Sequence, residues 1–216
     1  MQPRVLHILV ALLVLLGLAT LAACSKRPTS ANVPADAATT PATLDDFAAT
    51  NGDADPVALA YDVADGSLLK AGHTGLLRWR AGSGWEKIAL PASSVSAVVV
   101  NPEQPATVYA GGPEFGVLRS DDGGQSWQSA SAGLPGTEVT ALALHSFRRE
   151  TLYAWVRNEG IYRTEDGGAA WKRVPDQGPR DTDVRGLTHS TLPGSMNTGW
   201  LYAATPSGAY LSMDCF

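Results

Sequence analysis

The chain has 216 residues, of which 44% are hydrophobic, and a formal net charge of −5 at pH 7 with histidine neutral. No cluster of lysine and arginine interrupts this acidic balance, so the sequence predicts no nucleic-acid partner. Two cysteines are too few for a disulfide framework.

The first element is a targeting segment, which we assign to residues 1–23. After Arg4, the stretch from Val5 to Leu18 is almost wholly apolar, which is short for a membrane span of about 20 residues. It ends in Leu21-Ala22-Ala23-Cys24, which resembles the lipobox of bacterial lipoproteins. That resemblance implies that Cys24 is lipidated and becomes the new N-terminus. An ordinary signal peptide with an incidental cysteine, or an uncleaved anchor, remains the alternative.

The lipobox resemblance also implies a location in the cell envelope, with the membrane contacted through the lipid anchor. A mature lipoprotein carries two or three acyl chains, and each buried methylene contributes about 0.8 kcal/mol, so the anchor is expected to be durable. Ser25 stands where an aspartate would resemble the inner-membrane retention signal, which favours the outer membrane in a Gram-negative cell. Residues 24–56 are rich in Ala, Thr, Pro and Asp and are predicted to form a flexible tether.

Residues 57–216 are organised by an internal repeat. Thr107-Val108-Tyr109-Ala110 and the similar Thr151-Leu152-Tyr153-Ala154 lie 44 residues apart, and each leads to a Gly-Gly turn and a tryptophan. Four β-prone runs per period predict an all-β protein, a β-propeller of about four blades, each blade a four-stranded antiparallel sheet, and we expect the propeller to be incomplete. The predicted blades cover residues 57–90, 95–130, 139–174 and 184–216.

Two copies of one motif close the middle repeats. They are Ser120-x-Asp122-x-Gly124-x-x-Trp127 and Thr164-x-Asp166-x-Gly168-x-x-Trp171. Both resemble the Asp-box, or BNR repeat, of sialidases, sortilin-type receptor domains, some endoglucanases and photosystem II assembly factors. With the connector Gly133-Leu134-Pro135, the blade pattern is most similar to the sortilin and photosystem group.

The motif has a structural interpretation. An aspartate at a hairpin accepts hydrogen bonds from the backbone of its own turn, the serine or threonine hydroxyl closes the same loop, and the tryptophan packs across the hairpin base. We therefore expect Asp122 and Asp166 to be structural and not catalytic. The family resemblance agrees, since it places the box at the periphery of the propeller.

The first and last repeats depart from the pattern. The first has only Ala81-Gly82-Ser83-Gly84 at its turn, and the last stops at Phe216, before the expected glycine and tryptophan. We expect either a strand near residues 44–48 to complete the last blade or, preferably, a domain that is truncated or incomplete alone. An open blade edge is prone to pairing.

Few residues indicate a binding site. His145 and His189 follow the innermost strands of successive blades, which predicts that both approach one face of the channel, and Arg148 and Arg149 lie in the turn after one of these strands. A solvated turn is the alternative for the two arginines. His73 shares no metal-ligand spacing with the other histidines, and we predict no metal.

One acidic segment has calcium-loop spacing. Asn51, Asp53, Asp55 and Asp62 match positions 1, 3, 5 and 12 of such a loop. Pro56 stands where the loop needs glycine, and no helices flank the segment, so an acidic linker is favoured.

No catalytic motif or cofactor fingerprint is present in the sequence. The Arg-Ile-Pro start of sialidases is absent, and nothing fixes the pair of carboxylates that a glycosidase needs. The sequence therefore predicts a non-catalytic, envelope-anchored lipoprotein without a cofactor, whose propeller binds an unknown protein partner or assists assembly. The alternatives are a glycan-active or glycan-binding protein of the sialidase or endoglucanase type, and a non-functional remnant.

Overall fold

The structure is a computed structural model, and it describes residues 57–175, 179, 183–192 and 199–212. These residues form β-strands, turns and loops, which confirms the all-β prediction. The strands are β1 (Ala58–Tyr61), β2 (Leu68–Gly72), β3 (Gly75–Arg80), β4 (Gly84–Ile88), β5 (Ala97–Val100), β6 (Val108–Gly112), β7 (Gly116–Ser120), β8 (Gln128–Ser129), β9 (Val139–Leu144), β10 (Leu152–Val156), β11 (Gly160–Thr164), β12 (Lys172–Arg173), β13 (Gly186–His189), β14 (Leu201–Thr205) and β15 (Gly208–Ser212).

Each blade is an antiparallel sheet whose strands follow chain order. β1–β4, β5–β8 and β9–β12 form four-stranded sheets, and β13–β15 are the described strands of the last sheet. In the second blade, for example, Val98 lies opposite Ala110, and Ala110 lies opposite Leu118. Short loops between β-branched and aromatic runs favour this up-and-down order.

The four sheets pack as the blades of a β-propeller. The inner strands β1, β5, β9 and β13 are neighbours in that order. Three buried apolar clusters join successive blades: one contains Leu69 and Val108, the next Tyr109 and Leu152, and the third Trp155 and Leu201. Alternate residues of a strand point to opposite faces, so each inner blade contributes to the clusters on both of its sides.

Several sequence predictions fall on residues outside those that the structure describes. They concern the signal segment, Cys24, the tether, the strand near residues 44–48, the calcium-loop residues Asn51, Asp53 and Asp55, and the end of the last repeat at 213–216. Across the described ranges, none of the secondary structure is a helix able to cross a membrane.

Candidate functional site

The inner strands of all four blades line an open central cavity of about 480 Å³. Most of its lining residues are aliphatic, among them the half-buried Val99, Val100 and Leu144. Its polar and aromatic lining residues are Tyr61, Ser96, Arg149, Arg185, Thr188 and His189. No aspartate or glutamate is among the described residues that line it.

Arg149 is held at the rim of this cavity, near the ends of β5 and β9. Its Nε donates to Oε1 of Glu103 at 3.0 Å, and its Nη1 donates to the backbone oxygen of His145 at 3.2 Å. Arg148 does not line the cavity. Arg185 lines it, and its Nη2 lies 3.0 Å from Oδ2 of Asp183. The structure thus brings Arg149 and His189 to the cavity and leaves Arg148 and, contrary to the prediction, His145 outside its lining.

The two histidines form a stack between the third and fourth blades. Their ring centroids are 4.0 Å apart. Nδ1 of His145 accepts hydrogen bonds from the backbone N–H groups of Phe147 and Arg148 at 3.0 and 3.2 Å. Nδ1 of His189 accepts from the backbone N–H of Ser146 at 3.1 Å. Because both Nδ1 atoms accept, each neutral ring carries its proton on Nε2.

Burial of His145, helped by the neighbouring His189 and three arginines, lowers its pKa to about 4. Burial also lowers the pKa of His189. Both rings are therefore neutral at pH 7, and neither adds charge to the rim. The stack is suited to holding two blades together. The charged groups of the described lining are Arg149 and Arg185.

The position of His145 has a counterpart in the second blade. Oδ1 of Asn101 accepts from the backbone N–H groups of Glu103 and Gln104 at 3.0 and 3.3 Å, just as Nδ1 of His145 closes its own turn. Asp62 does the same with Ala64 at 3.0 Å. In these three blades, the residue directly after the inner strand has a side chain that accepts hydrogen bonds and closes the turn. This structural role accounts for His145 without a ligand.

We expect acid to destabilise the fold through His145. Its pKa is depressed in the folded protein, so its contribution is complete above its ordinary pKa of about 6.5 and is lost as pH falls through about 4. The expected loss is on the order of 2–3 kcal/mol. His145→Asn keeps the turn acceptor and should show a smaller loss, because only His189 of the pair still titrates. Urea unfolding at pH 7 and at about pH 4.5 measures this, and equal losses in both proteins contradict it.

The Asp-box of the second blade is a closed hydrogen-bond loop. Oγ of Ser120 donates to Oδ1 of Asp122 at 2.8 Å and accepts from the backbone N–H of Gly124 at 2.7 Å. Oδ1 of Asp122 also accepts from the backbone N–H groups of Gln125 and Ser126 at 2.9 and 2.8 Å. These bonds, led by those from Ser126, hold the pKa of Asp122 well below its usual range. The Asp122 carboxylate thus accepts these hydrogen bonds from within its own turn.

The box of the third blade repeats this arrangement. Oγ1 of Thr164 donates to Oδ1 of Asp166 at 2.5 Å and accepts from the backbone N–H of Gly168 at 3.1 Å. Hydrogen bonds from Thr164 and the turn lower the pKa of Asp166. Nε1 of Trp171 donates to the backbone oxygen of Ala130 at 2.6 Å, in the preceding blade. None of the eight box residues lines the central cavity.

The box turns also join consecutive blades. A Cβ built on Gly124 would lie 3.4 Å from Cγ2 of Ile88 in the first blade, and one built on Gly168 would lie 2.9 Å from Cβ of Ala130 in the second. Both glycines have a positive φ, 92° and 93°. Each turn therefore rests on the outer part of the blade before it.

Asp122→Ala is expected to lower the Tm and to leave binding at the cavity intact. The variant leaves the hydroxyl of Ser120 and two backbone N–H groups of the turn without their acceptor. Asp121→Ala is the matched control, because the Asp121 carboxylate accepts hydrogen bonds from the side chains of Arg119, Thr107 and Gln128 and closes none of the backbone bonds of the turn. Thermal unfolding of the two variants measures the Tm of each. An undiminished Tm for Asp122→Ala, or equal losses in both, contradicts a structural role.

Some features of the site carry no polar sequence signal. Tyr61 is 60% exposed at the end of an inner strand and lines the cavity, as does Pro102. Neither residue type marks a site by itself. Their place in the lining follows only from the packing of β1 against β5.

No protein-family model matches the chain, and no curated protein matches it. Several solved structures do match the chain. A GH74 enzyme from Niastella koreensis is 17% identical with a TM-score of 0.58, over 74% of this chain and 28% of that one. A chain of the mitotic checkpoint complex is 16% identical with a TM-score of 0.50, over 72% and 47%. YCF48 bound to a D1 peptide is 19% identical with a TM-score of 0.47, over 73% and 54%.

The likeness is one of fold. The chain spans 22% to 30% of the length of the GH74 chains that it matches. The activity of those enzymes is therefore not attributed to this chain. Within the described residues, no group of three or more His, Cys, Asp or Glu side chains is arranged to hold a metal ion. Asp62, the last of the four residues with calcium-loop spacing, is buried and bonded to its own turn.

Proposed function

We propose that this chain is a non-catalytic interaction module whose central cavity and rim bind a segment of a protein partner. The observation that supports this most is the lining of the cavity, which includes the exposed Tyr61, Pro102 and an arginine, Arg149, that Glu103 holds in place. Aromatic residues and arginines are enriched at binding surfaces between proteins.

A glycan-active protein has weaker support. Hydrolysis of a glycosidic bond uses two carboxylates about 5–9.5 Å apart on either side of the bond. The described lining of the cavity contains no carboxylate. Asp122 and Asp166 are bonded within their own turns, away from the cavity. Turnover of a β-glucan or sialyl substrate by the purified protein would establish this alternative.

We further propose that the module is held at the cell envelope through a lipid on Cys24. The support is the sequence Leu21-Ala22-Ala23-Cys24 after an apolar stretch. Cys24→Ala should release the protein from the membrane fraction without changing its folding. The intact mass of the membrane-purified protein measures the acyl chains. A mass without them contradicts the anchor and leaves the interaction proposal untouched.

Site-directed photo-crosslinking tests the binding proposal. A benzophenone amino acid at position 61 is expected to crosslink one protein partner in whole cells. The same group at position 129 is the matched control, because Ser129 is exposed on β8 and does not line the cavity. Arg149→Ala should then reduce the yield at position 61. Equal yields at the two positions, or a yield that Arg149→Ala leaves unchanged, would refute binding at the cavity.

A further inference from the structure

The outer edge of the last sheet is open among the described residues. In the first three blades a fourth strand, β4, β8 or β12, pairs with the third strand, whereas no described strand pairs with the outer edge of β15. Tyr210 on β15 is 39% exposed, but Leu118 and Tyr162, at the same position of the second and third blades, are 5% and 6% exposed. Oγ of Ser212 is buried and has no described hydrogen-bond partner, although the equivalent Ser120 closes a box turn.

The third blade presents a surface that is covered in the blades before it. Ile88 of the first blade is 9% exposed and Ala130 of the second is 6% exposed, because the box turn of the next blade rests on each of them. Val174 has the same position in the third blade and is only half-buried. It packs against the cluster that contains Ala203 of β14, so it adjoins the last blade. We call the surface formed by Val174 and β15 the β15 edge.

The backbone groups of β15 that face outward follow from the other blades. In the second blade, the backbone N–H of Ala130, directly after β8, donates to the oxygen of Val117 on β7 at 2.8 Å, and the third blade repeats this bond. Ala209 has the position of Val117 on β15. The N–H and C=O of a residue face the same edge of its strand, and alternate residues face the same edge. The backbone groups of Ala209 and Leu211 therefore face outward.

The fourth strands of the first three blades share one sequence pattern. It is a tryptophan, two exposed polar residues and an aliphatic residue, at 85–88, 127–130 and 171–174. Trp171 is 4% exposed and donates to the preceding blade, so the aromatic residue fixes the strand in place. No further run of aromatic, polar, polar and aliphatic residues occurs in the sequence. All copies are already built into blades, so the segment that suits the β15 edge has to come from another protein.

We propose that the β15 edge binds an extended segment of a protein partner with the pattern aromatic, polar, polar, aliphatic. The segment pairs antiparallel with β15 and places its aromatic residue on Val174. Main-chain hydrogen bonds to an open strand edge supply affinity, and side-chain packing supplies selectivity. Tyr210 and Leu211 do not line the central cavity, so this surface is separate from the cavity and goes beyond the function proposed above.

The test is binding of a fluorescent peptide to the full chain, measured by fluorescence anisotropy. The peptide has the sequence of residues 167–174, Gly-Gly-Ala-Ala-Trp-Lys-Arg-Val, with capped ends. We expect saturable binding, and a peptide with alanine in place of the tryptophan should bind at least about tenfold more weakly. Arg149→Ala, at the cavity, should leave peptide binding unchanged. Absence of saturable binding, or equal binding of the two peptides, overturns the proposal.

Two variants at Leu211 separate strand pairing from a general apolar contact. Leu211→Pro removes the outward N–H, which an edge strand tolerates, and should weaken binding by about tenfold. Leu211→Ala keeps the N–H and should bind within about threefold of the wild type. A peptide N-methylated at its valine lacks the donor that meets Ala209, and it tests the same pairing with an unchanged protein. Binding that neither Leu211→Pro nor the N-methyl group weakens overturns the proposal.

Other occupants of the β15 edge give different results. If residues 24–56 of the same molecule fill the edge, the full chain does not bind the peptide. If a second copy fills it, sedimentation velocity shows a dimer that Leu211→Pro dissociates. Either result overturns the proposal, whereas a monomer that binds the peptide supports it.

Discussion

Trp171→Ala is expected to lower the free energy of unfolding by about 3–5 kcal/mol. The indole of Trp171 is 4% exposed within the cluster between the second and third blades. Its Nε1 also donates to the backbone oxygen of Ala130 at 2.6 Å, so the variant leaves both a cavity and an unpaired carbonyl. Urea unfolding measures the change.

Trp127→Ala is the matched control for this variant. Trp127 holds the same place in the box of the second blade and packs at the edge of the cluster between the first two blades, but it is half-buried and its Nε1 donates to Gly124 of its own turn at 3.2 Å. We expect Trp127→Ala to lower the free energy of unfolding by less than half as much. Equal losses at the two positions would mean that the deeper burial of Trp171 and its hydrogen bond to Ala130 contribute nothing.

Gly133→Ala is expected to cost about 2–4 kcal/mol, because the position combines strain with a clash. The φ of Gly133 is 90°, and a Cβ built there would lie 2.4 Å from the backbone oxygen of Trp171. A backbone atom cannot move aside as a flexible side chain does. The connector between the second and third blades therefore depends on glycine at this position.

Gly136→Ala tests whether any substitution in this connector is harmful. A Cβ at Gly136 meets no atom of the described structure within 4 Å. The expected change in the free energy of unfolding is within about 0.5 kcal/mol, and reduced freedom of the unfolded chain favours a slight gain. The two variants are compared by urea unfolding. If Gly133→Ala is as stable as Gly136→Ala, the close approach to Trp171 is not a constraint.

The propeller was predictable because its signal is periodic. The repeats at Thr107 and Thr151 lie 44 residues apart, and each contains four short β-prone runs with glycine at the turns. Such a period specifies a blade even where single strands are weak, as with the two residues of β8 and of β12. The turn chemistry of Asp122 and Asp166 was equally local, since their hydrogen-bond partners lie within four residues.

The candidate site was only partly predictable, because its contacts join distant parts of the chain. His189 accepts from Ser146, 43 residues away, and no local pattern indicates that its ring stacks on His145.

Each box turn packs on the blade before it, so the contacts between blades all run in one direction along the chain. Gly124 lies against Ile88 of the first blade, and Gly168 lies against Ala130 of the second. In the first blade, a Cβ built on Gly82 or Gly84 of the corresponding turn meets no described atom within 4 Å. The turns of the second and third blades thus gain contacts from a blade that precedes them in the chain. We expect these contacts to favour folding in the order in which a ribosome delivers the blades.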